Sequence, residues 1–139
     1  MGVPAESLSS LDEWIDILQQ EAEMALPMVA EVERADGKVL YIGLGKTDAV
    51  LSYAATLLPP FYVSSSGRQA ANNQIVDYYF YGIWVGVPVR NLVPMAYARA
   101  ALRFFWETGE RSKEIQWERS EEQEGPLELL PQWAAAAYP

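Results

Sequence analysis

The 139-residue chain contains neither cysteine nor histidine. The lack of cysteine excludes disulfides and thiolate nucleophiles, and it fits a reducing compartment. The lack of histidine excludes Ser-His-Asp triads, Cys-His pairs and the usual zinc sites. Most hydrolytic mechanisms are therefore ruled out, and we expect no catalytic residue, no metal and no cofactor.

Long apolar runs are absent as well. No segment approaches the roughly 20 apolar residues of a membrane-spanning helix, and the first six residues lack the basic and apolar regions of a secretory signal. We therefore expect a soluble, cytoplasmic protein without membrane contact. Half of the residues are hydrophobic, so the length predicts a single domain over residues 1–139, with residues 120–139 as a link and a C-terminal tail.

Basic residues are scarce, since ten Lys and Arg stand against 19 Asp and Glu, giving a net charge of −9. The imbalance lies at the two ends: residues 1–36 carry one base and nine acids, and residues 107–139 carry three bases and eight acids. The stretch between them carries six bases and two acids. A negative field repels nucleic acid and anionic lipid, and it speeds encounter with a basic protein. The charge therefore favours a basic protein partner.

Hydrophobic spacing predicts two helices and six strands. Apolar residues recur with helical period from Leu11 to Leu18, and Pro94 and Gly109 are typical of the start and end of a second helix over about residues 94–108. The buried stripe of that helix is expected to contain Ala98, Ala101, Leu102 and Phe105, widened by Phe104 and Trp106. Period-two alternation predicts strands over residues 28–33, 38–44, 48–54, 61–64, 75–85 and 113–118.

This order of elements predicts an α+β fold, in which an antiparallel sheet of about five to six strands carries both helices on one face. The helices would bury Val76, Tyr78, Phe80, Ile115 and Trp117 and leave the opposite face bare. Tyrosines supply rigid contact area and acids select a basic partner. Outward acids and strand tyrosines are also ordinary surface features. The predicted partner-binding residues are Glu31, Glu33, Tyr41, Asp77, Tyr79, Tyr81, Trp84, Glu114 and Glu118.

One segment is similar in outline to a phosphate-binding loop. Lys46 and Thr47 follow Gly43 and Gly45 behind a predicted strand, but Leu40 stands where that motif requires its first glycine. A hairpin turn explains these glycines better.

The end of the second helix carries a family resemblance. Val93-Pro94 opens the helix, Phe104-Phe105-Trp106-Glu107-Thr108-Gly109-Glu110-Arg111 closes it, and Ile115-Gln116-Trp117 follows. This stretch resembles the C-terminal signature of the Imm1 family of bacterial immunity proteins, although Ser112 stands where the family commonly has proline. The resemblance implies an α+β domain that binds and silences a toxin of the same cell, often a nucleic-acid deaminase, and performs no reaction itself.

Together these features suggest that the protein blocks the active site of a basic toxin, most simply one of the cytosine-deaminase type. Two alternatives stay open. A regulatory or scaffold module that binds another basic protein would share the same acidic, tyrosine-rich face. A small-ligand binding protein or carboxylate enzyme would instead need a deep pocket that holds an acid with a raised pKa. The sequence does not specify the oligomeric state.

Overall fold

The computed structural model describes residues 8–56, 58–66, 74–80 and 82–120. Tyr81 and the tail beyond Ser120, on which two of the predictions fall, lie outside these ranges. The elements in chain order are α1 (Leu8–Met24), β1 (Met28–Glu33), β2 (Val39–Leu44), β3 (Asp48–Ala54), β4 (Phe61–Ser65), β5 (Ile75–Phe80), β6 (Ile83–Pro88), a 3₁₀ turn (Val89–Asn91), β7 (Val93–Pro94), α2 (Met95–Thr108) and β8 (Gln116–Ser120).

The α+β class is confirmed, and the described residues form a sheet of eight strands. Its order is β6-β5-β1-β2-β3-β4-β8, with β7 paired to β3. Two strands were not anticipated. Gly82, at φ 89°, divides the expected strand over residues 75–85 into β5 and β6, and Val93–Pro94 forms the short β7. The sheet is also mixed, because β1 and β5 run parallel with Met28 opposite Tyr79.

Both helices pack on one face of the sheet, as expected. The hydrophobic stripes of α1 and α2 meet the even-numbered side chains of β2 and the odd-numbered side chains of β3. We call this cluster the helix-side core, and its largest fully buried side chains are Leu11, Ile15, Leu40, Ile42, Leu44, Leu51, Leu102 and Phe105. The helices are also joined by ion pairs from Arg99 and Arg103 of α2 to Asp12 and Asp16 of α1, so these two acids of the N-terminal region already have partners.

The opposite face of the sheet is buried too, so the prediction of a bare face is wrong. A second core on that face joins β5 and β6 to β3 and β4, and consists of Val29, Tyr41, Val50, Ala54, Phe61, Val63, Tyr78, Phe80, Val85, Val87 and Leu92. The prediction that helices bury Val76, Tyr78 and Phe80 is wrong for the same reason. Because β5 and β3 are separated by β1 and β2 in the sheet, these contacts require the sheet to curl over itself.

Gly43 permits this curl. A Cβ atom there would lie 2.6 Å from Val50 Cγ1 and 3.0 Å from the ring of Tyr78, so the missing side chain makes room for the tyrosine. Gly45 donates its N–H to the carbonyl of Asp48 at 3.0 Å, in the turn that joins β2 to β3. The glycines that are similar to a phosphate loop are therefore hairpin and packing residues.

The signature segment at the end of α2 holds the helix to the sheet. Gly109 is left-handed at φ 77° and donates to the carbonyl of Phe105 at 2.7 Å. The Tyr53 hydroxyl donates to the Gly109 carbonyl at 2.9 Å. Arg34 Nη1 donates to the carbonyls of Phe105, at 3.0 Å, and of Trp106. These residues of the signature therefore have a structural role.

Candidate partner-binding surfaces

The predicted partner-binding residues do not lie on one surface. Strand pairing places Glu31, Tyr41 and Glu118 in one row across the sheet, on the face of the second core. The pairing of Met28 with Tyr79 places Tyr79 on the face that carries the helices. The parallel register of β1 and β5 therefore places on opposite faces of the sheet residues that the alternation within each strand had assigned to one face.

Three of the predicted residues lie together on the exposed side of the β5–β6 hairpin. Tyr79 is 38% exposed and Trp84 is 58% exposed, and their rings contact edge to face at a centroid distance of 5.6 Å. Asp77 is exposed on the same side and faces Gly86. With the exposed Ile75 these side chains form what we call the hairpin patch. It consists of Ile75, Asp77, Tyr79 and Trp84.

Gly86 keeps the hairpin patch compact. A Cβ atom at this position would lie 2.8 Å from Ile75 Cγ2 and 3.8 Å from Asp77 Oδ1. Both side chains therefore lean over the glycine instead of standing apart. The patch thus presents two aromatic rings, one aliphatic side chain and one carboxylate within two neighbouring strands.

Tyr41 and Glu118 have partners inside the protein. Tyr41 is only 8% exposed and packs edge to face on Phe80 at 5.9 Å. Glu118 accepts a hydrogen bond from Asn91 Nδ2 at 2.7 Å and pairs with Arg90 at 3.5 Å. Asn91 is fully buried and also donates to the carbonyl of Ser64. Glu118 thus anchors the 3₁₀ turn to β8, and we leave it and Tyr41 out of the contact surface proposed below.

Glu31 is a half-buried carboxylate on the face of the second core. Burial raises its pKa, the positive charge of the N-terminus opposes the rise, and the charge of the neighbouring Glu33 adds to it. Over the ranges that the structure describes, no hydrogen bond or ion pair reaches the Glu31 carboxylate. An incompletely hydrated charge is destabilising, so the ionised form of Glu31 lowers the stability of the fold. Glu33 is exposed at the end of the same strand.

Glu114 lies in a turn before β8, so the expected start of the strand at residue 113 is wrong. The Ser112 Oγ accepts the Glu114 N–H at 3.1 Å, and the indole of Trp117 donates to the Ser112 carbonyl at 2.9 Å. These bonds hold residues 112–114 out of the sheet. The turn forms one wall of a cleft against α2.

Sequence reasoning missed this cleft between α2 and residues 111–117. Its two adjoining parts have volumes of about 290 and 660 Å³ and share Phe104, Ser112 and Lys113. Phe104 had been expected in the core, yet it is 37% exposed. The sequence signal that could have revealed the cleft was the position of Phe104 at the edge of the apolar stripe of α2, one residue before the buried Phe105.

The described part of the chain does not bring together the residues of a metal site. Residues 8–56, 58–66, 74–80 and 82–120 contain no group of three or more His, Cys, Asp or Glu that could hold a metal. Glu31, whose pKa is raised, lines neither part of the cleft. Within the same ranges, no helix combines the length and the apolar character needed to cross a bilayer.

The fold defines a small α+β domain that carries an exposed aromatic hairpin patch and an open cleft beside α2. Residues 2–119 match the family described as Immunity protein Imm1, and the chain belongs to this family. The resemblance seen at the end of α2 is thereby confirmed and extends over nearly all of the chain before the tail. Membership points to a toxin-neutralising role and a toxin as partner. A comparison with curated proteins gives no match.

Proposed function

We propose that this protein is an immunity protein that neutralises a cognate secreted toxin by covering the mouth of its active site. The proposed toxin is a basic, nucleic-acid-modifying enzyme of the cytosine-deaminase type. The immunity protein itself acts in the cytoplasm, binds no nucleic acid and catalyses no reaction. Membership of the Imm1 family supports the role, and the hairpin patch is the observation that supports this mode of binding.

The hairpin patch has the composition of an interface hot spot. Trp and Tyr are enriched among residues whose loss costs most binding energy, since they fill pockets with rigid, amphipathic area. The edge-to-face contact of Tyr79 and Trp84 fixes both rings before any partner arrives, and this lowers the entropy cost of binding. The patch is therefore suited to enter an apolar pocket at the entrance of an active site.

The carboxylate of Asp77 complements a nucleic-acid enzyme. Such an enzyme uses Arg and Lys to hold phosphates, and an acid held beside two aromatic rings offers those cations an alternative partner. The net charge of −9 steers the encounter and raises the association rate at low salt. Glu31, Glu33 and Glu114 lie outside the hairpin patch, and we propose that they contribute to this steering.

The test is the affinity of purified variants for the cognate toxin, sought as the product of an adjacent gene, with inhibition of the toxin as a second readout. We expect Trp84→Ala and Tyr79→Ala each to weaken binding about 30- to 1,000-fold, equivalent to ~2–4 kcal/mol. Asp77→Arg reverses a charge, so it should weaken binding more strongly at low salt than at high salt.

Tyr97→Ala is the matched control, because Tyr97 is an exposed tyrosine on α2, away from the hairpin. It should leave both affinity and inhibition unchanged. Unchanged affinity in all three hairpin variants would move the binding site elsewhere. Turnover of a substrate by the isolated chain would contradict the proposal as a whole.

A further inference from the structure

The two edges of the sheet differ in charge. Strand β6 forms one edge of the described sheet and β8 forms the other. β8 includes Glu118 and Arg119, whereas no residue of β6, Ile83–Pro88, carries a charge. All six residues of β6 pair one to one with β5, so no bulge interrupts the strand. β6 therefore lacks the charges and bulges that usually keep an edge strand from pairing with another chain.

A hydrogen bond of β5 shows which main-chain groups of β6 point outward. The Tyr79 N–H donates to the Pro27 carbonyl at 2.8 Å, on the side of β5 that faces away from β6. Trp84 lies opposite Tyr79, so these two residues form a non-hydrogen-bonded pair of the antiparallel ladder. Such pairs alternate with hydrogen-bonded ones, and Gly86, two residues further along, has the same orientation. The N–H and C=O groups of Trp84 and Gly86 therefore point away from β5.

These outward groups have no main-chain partner in the part of the chain that the structure describes. Trp84 is 58% exposed and Gly86 is partly exposed, so another chain can approach both. Pro88, the next residue of the same orientation, has no N–H to leave unpaired and closes this end of the free edge. The free edge therefore offers two N–H donors, and the carbonyl acceptors beside them, to an extended segment.

The free edge is continuous with the hairpin patch, because Trp84 and Gly86 lie on the same side of the hairpin as the patch. Asp77 Oδ1 lies 3.8 Å, and Ile75 Cγ2 lies 2.8 Å, from the position of a Cβ atom at Gly86. A strand added to β6 would lie about 4.8 Å further out. Since Gly86 has no side chain, an Arg or Lys opposite it can lay its aliphatic stem on Ile75 and reach the Asp77 carboxylate. The edge therefore fits an extended segment with a basic residue at that position.

We propose that an extended segment of the toxin adds to β6 as a further strand, bonded to the main chain of Trp84 and Gly86, with a Lys or Arg beside Asp77. This inference rests on the proposed function, since it states how the toxin engages the hairpin patch. In strand addition, main-chain hydrogen bonds supply affinity and the flanking side chains supply specificity. The net charge of −9 favours a basic toxin at this edge over a second copy of the chain, which would be repelled.

A proline at position 84 tests the main-chain bonds, with Trp84→Ala as the matched control. Both variants remove the indole ring, but only Trp84→Pro removes the outward N–H and places a pyrrolidine ring at the edge. The ladder between β5 and β6 does not use this N–H, so the hairpin should stay paired. Affinity for the cognate toxin should fall at least about tenfold further in Trp84→Pro than in Trp84→Ala. Equal affinities in the two variants would overturn the strand addition, even where both bind more weakly than the unsubstituted chain, as the proposed function requires.

Hydrogen exchange on the unsubstituted chain tests the same bonds without a change of sequence. Amide exchange would be followed by NMR on the isotope-labelled chain, free and in complex with the unlabelled toxin. In the free chain the amides of Val85 and Val87 should exchange slowly, because they bond to β5, and those of Trp84 and Gly86 should exchange fast. The complex should slow exchange at Trp84 and Gly86 by about 100-fold or more.

Two results of the exchange measurement would overturn the proposal. The first is unchanged exchange at Trp84 and Gly86 in a complex that the hairpin variants still weaken, which would leave a side-chain interface and the proposed function intact. The second is slow exchange at both residues in the free chain that increases with its concentration, which would assign the edge to a second copy. Protection of both amides by a toxin that binds all three hairpin variants with full affinity would instead sustain the strand addition and overturn the side-chain contacts of the proposed function.

Discussion

The two sides of strand β5 have opposite surroundings. Tyr78 is 1% exposed and lies in the second core, and burial raises its pKa far above the ordinary tyrosine value. Tyr79, the next residue, is partly exposed and contacts Trp84 in the hairpin patch. One strand thus carries two tyrosines of which one stabilises the curled sheet and the other is available to a partner. Aromatic content alone therefore does not mark a binding face, and the register of the strand decides which ring is free.

The largest expected effect is a difference in the free energy of unfolding between variants of these two tyrosines. Tyr78→Ala removes a fully buried ring and should lower the free energy of unfolding by about 3–5 kcal/mol. Tyr79→Ala removes an exposed ring and should change it by less than about 1 kcal/mol. Urea denaturation followed by circular dichroism measures both. A similar loss in the two variants would mean that the sides of β5 do not differ as described.

A second effect concerns the space that Gly43 leaves for Tyr78. Gly43→Ala places a Cβ atom within 3.0 Å of the Val50 and Tyr78 side chains, and such overpacking should cost about 1–3 kcal/mol. Trimming the ring by Tyr78→Leu should make the added methyl less costly, so the double variant should be more stable than the sum of the single losses predicts. Strict additivity would show that Gly43 does not limit this contact.

The smallest effect concerns the charge on Glu31, on the same face as Tyr78. A raised carboxyl pKa means that the folded state holds the proton more tightly than the unfolded state, so the ionised group lowers stability at neutral pH. Glu31→Gln should therefore raise the free energy of unfolding at pH 7, by less than about 0.5 kcal/mol after solvent screening. The gain should disappear as the pH falls below the ordinary glutamate pKa, about 4.3.

Glu33→Gln provides the comparison for this small effect, since Glu33 is exposed on the same strand. It removes a charge that repels Glu31, so it should raise the free energy of unfolding at neutral pH by less than Glu31→Gln does. Thermal unfolding of the three proteins across pH 3 to 8 tests the prediction. A loss of stability in Glu31→Gln would mean that its carboxylate already has a favourable partner.

The helices and the first hairpin could be predicted because their signals are local. The apolar spacing from Leu11 to Leu18 gives α1, and Pro94 and Gly109 mark the limits of α2 within a residue. Asp36-Gly37 predicts the turn between β1 and β2, where Gly37 has φ 89° and donates to the carbonyl of Arg34. These residues determine their own backbone geometry and need no distant contact.

The candidate site could be predicted only in part, because it depends on long-range pairing. Alternation within β5 correctly separates Asp77 and Tyr79 from Tyr78. The face that each group occupies follows from the parallel pairing of Met28 with Tyr79, and no local pattern encodes that register. The same holds for the curl that buries Tyr41, since it brings together strands that are far apart in the sheet.

The contact of Arg34 with the end of α2 has a consequence for synthesis of the protein. The guanidinium joins the β1–β2 turn to a carbonyl 71 residues later in the chain. A growing polypeptide therefore cannot close this link until Phe105 has been added, which takes seconds after Arg34 at about 5–20 residues per second. Every molecule thus passes through a period after its N-terminal strands emerge in which the domain is still incomplete.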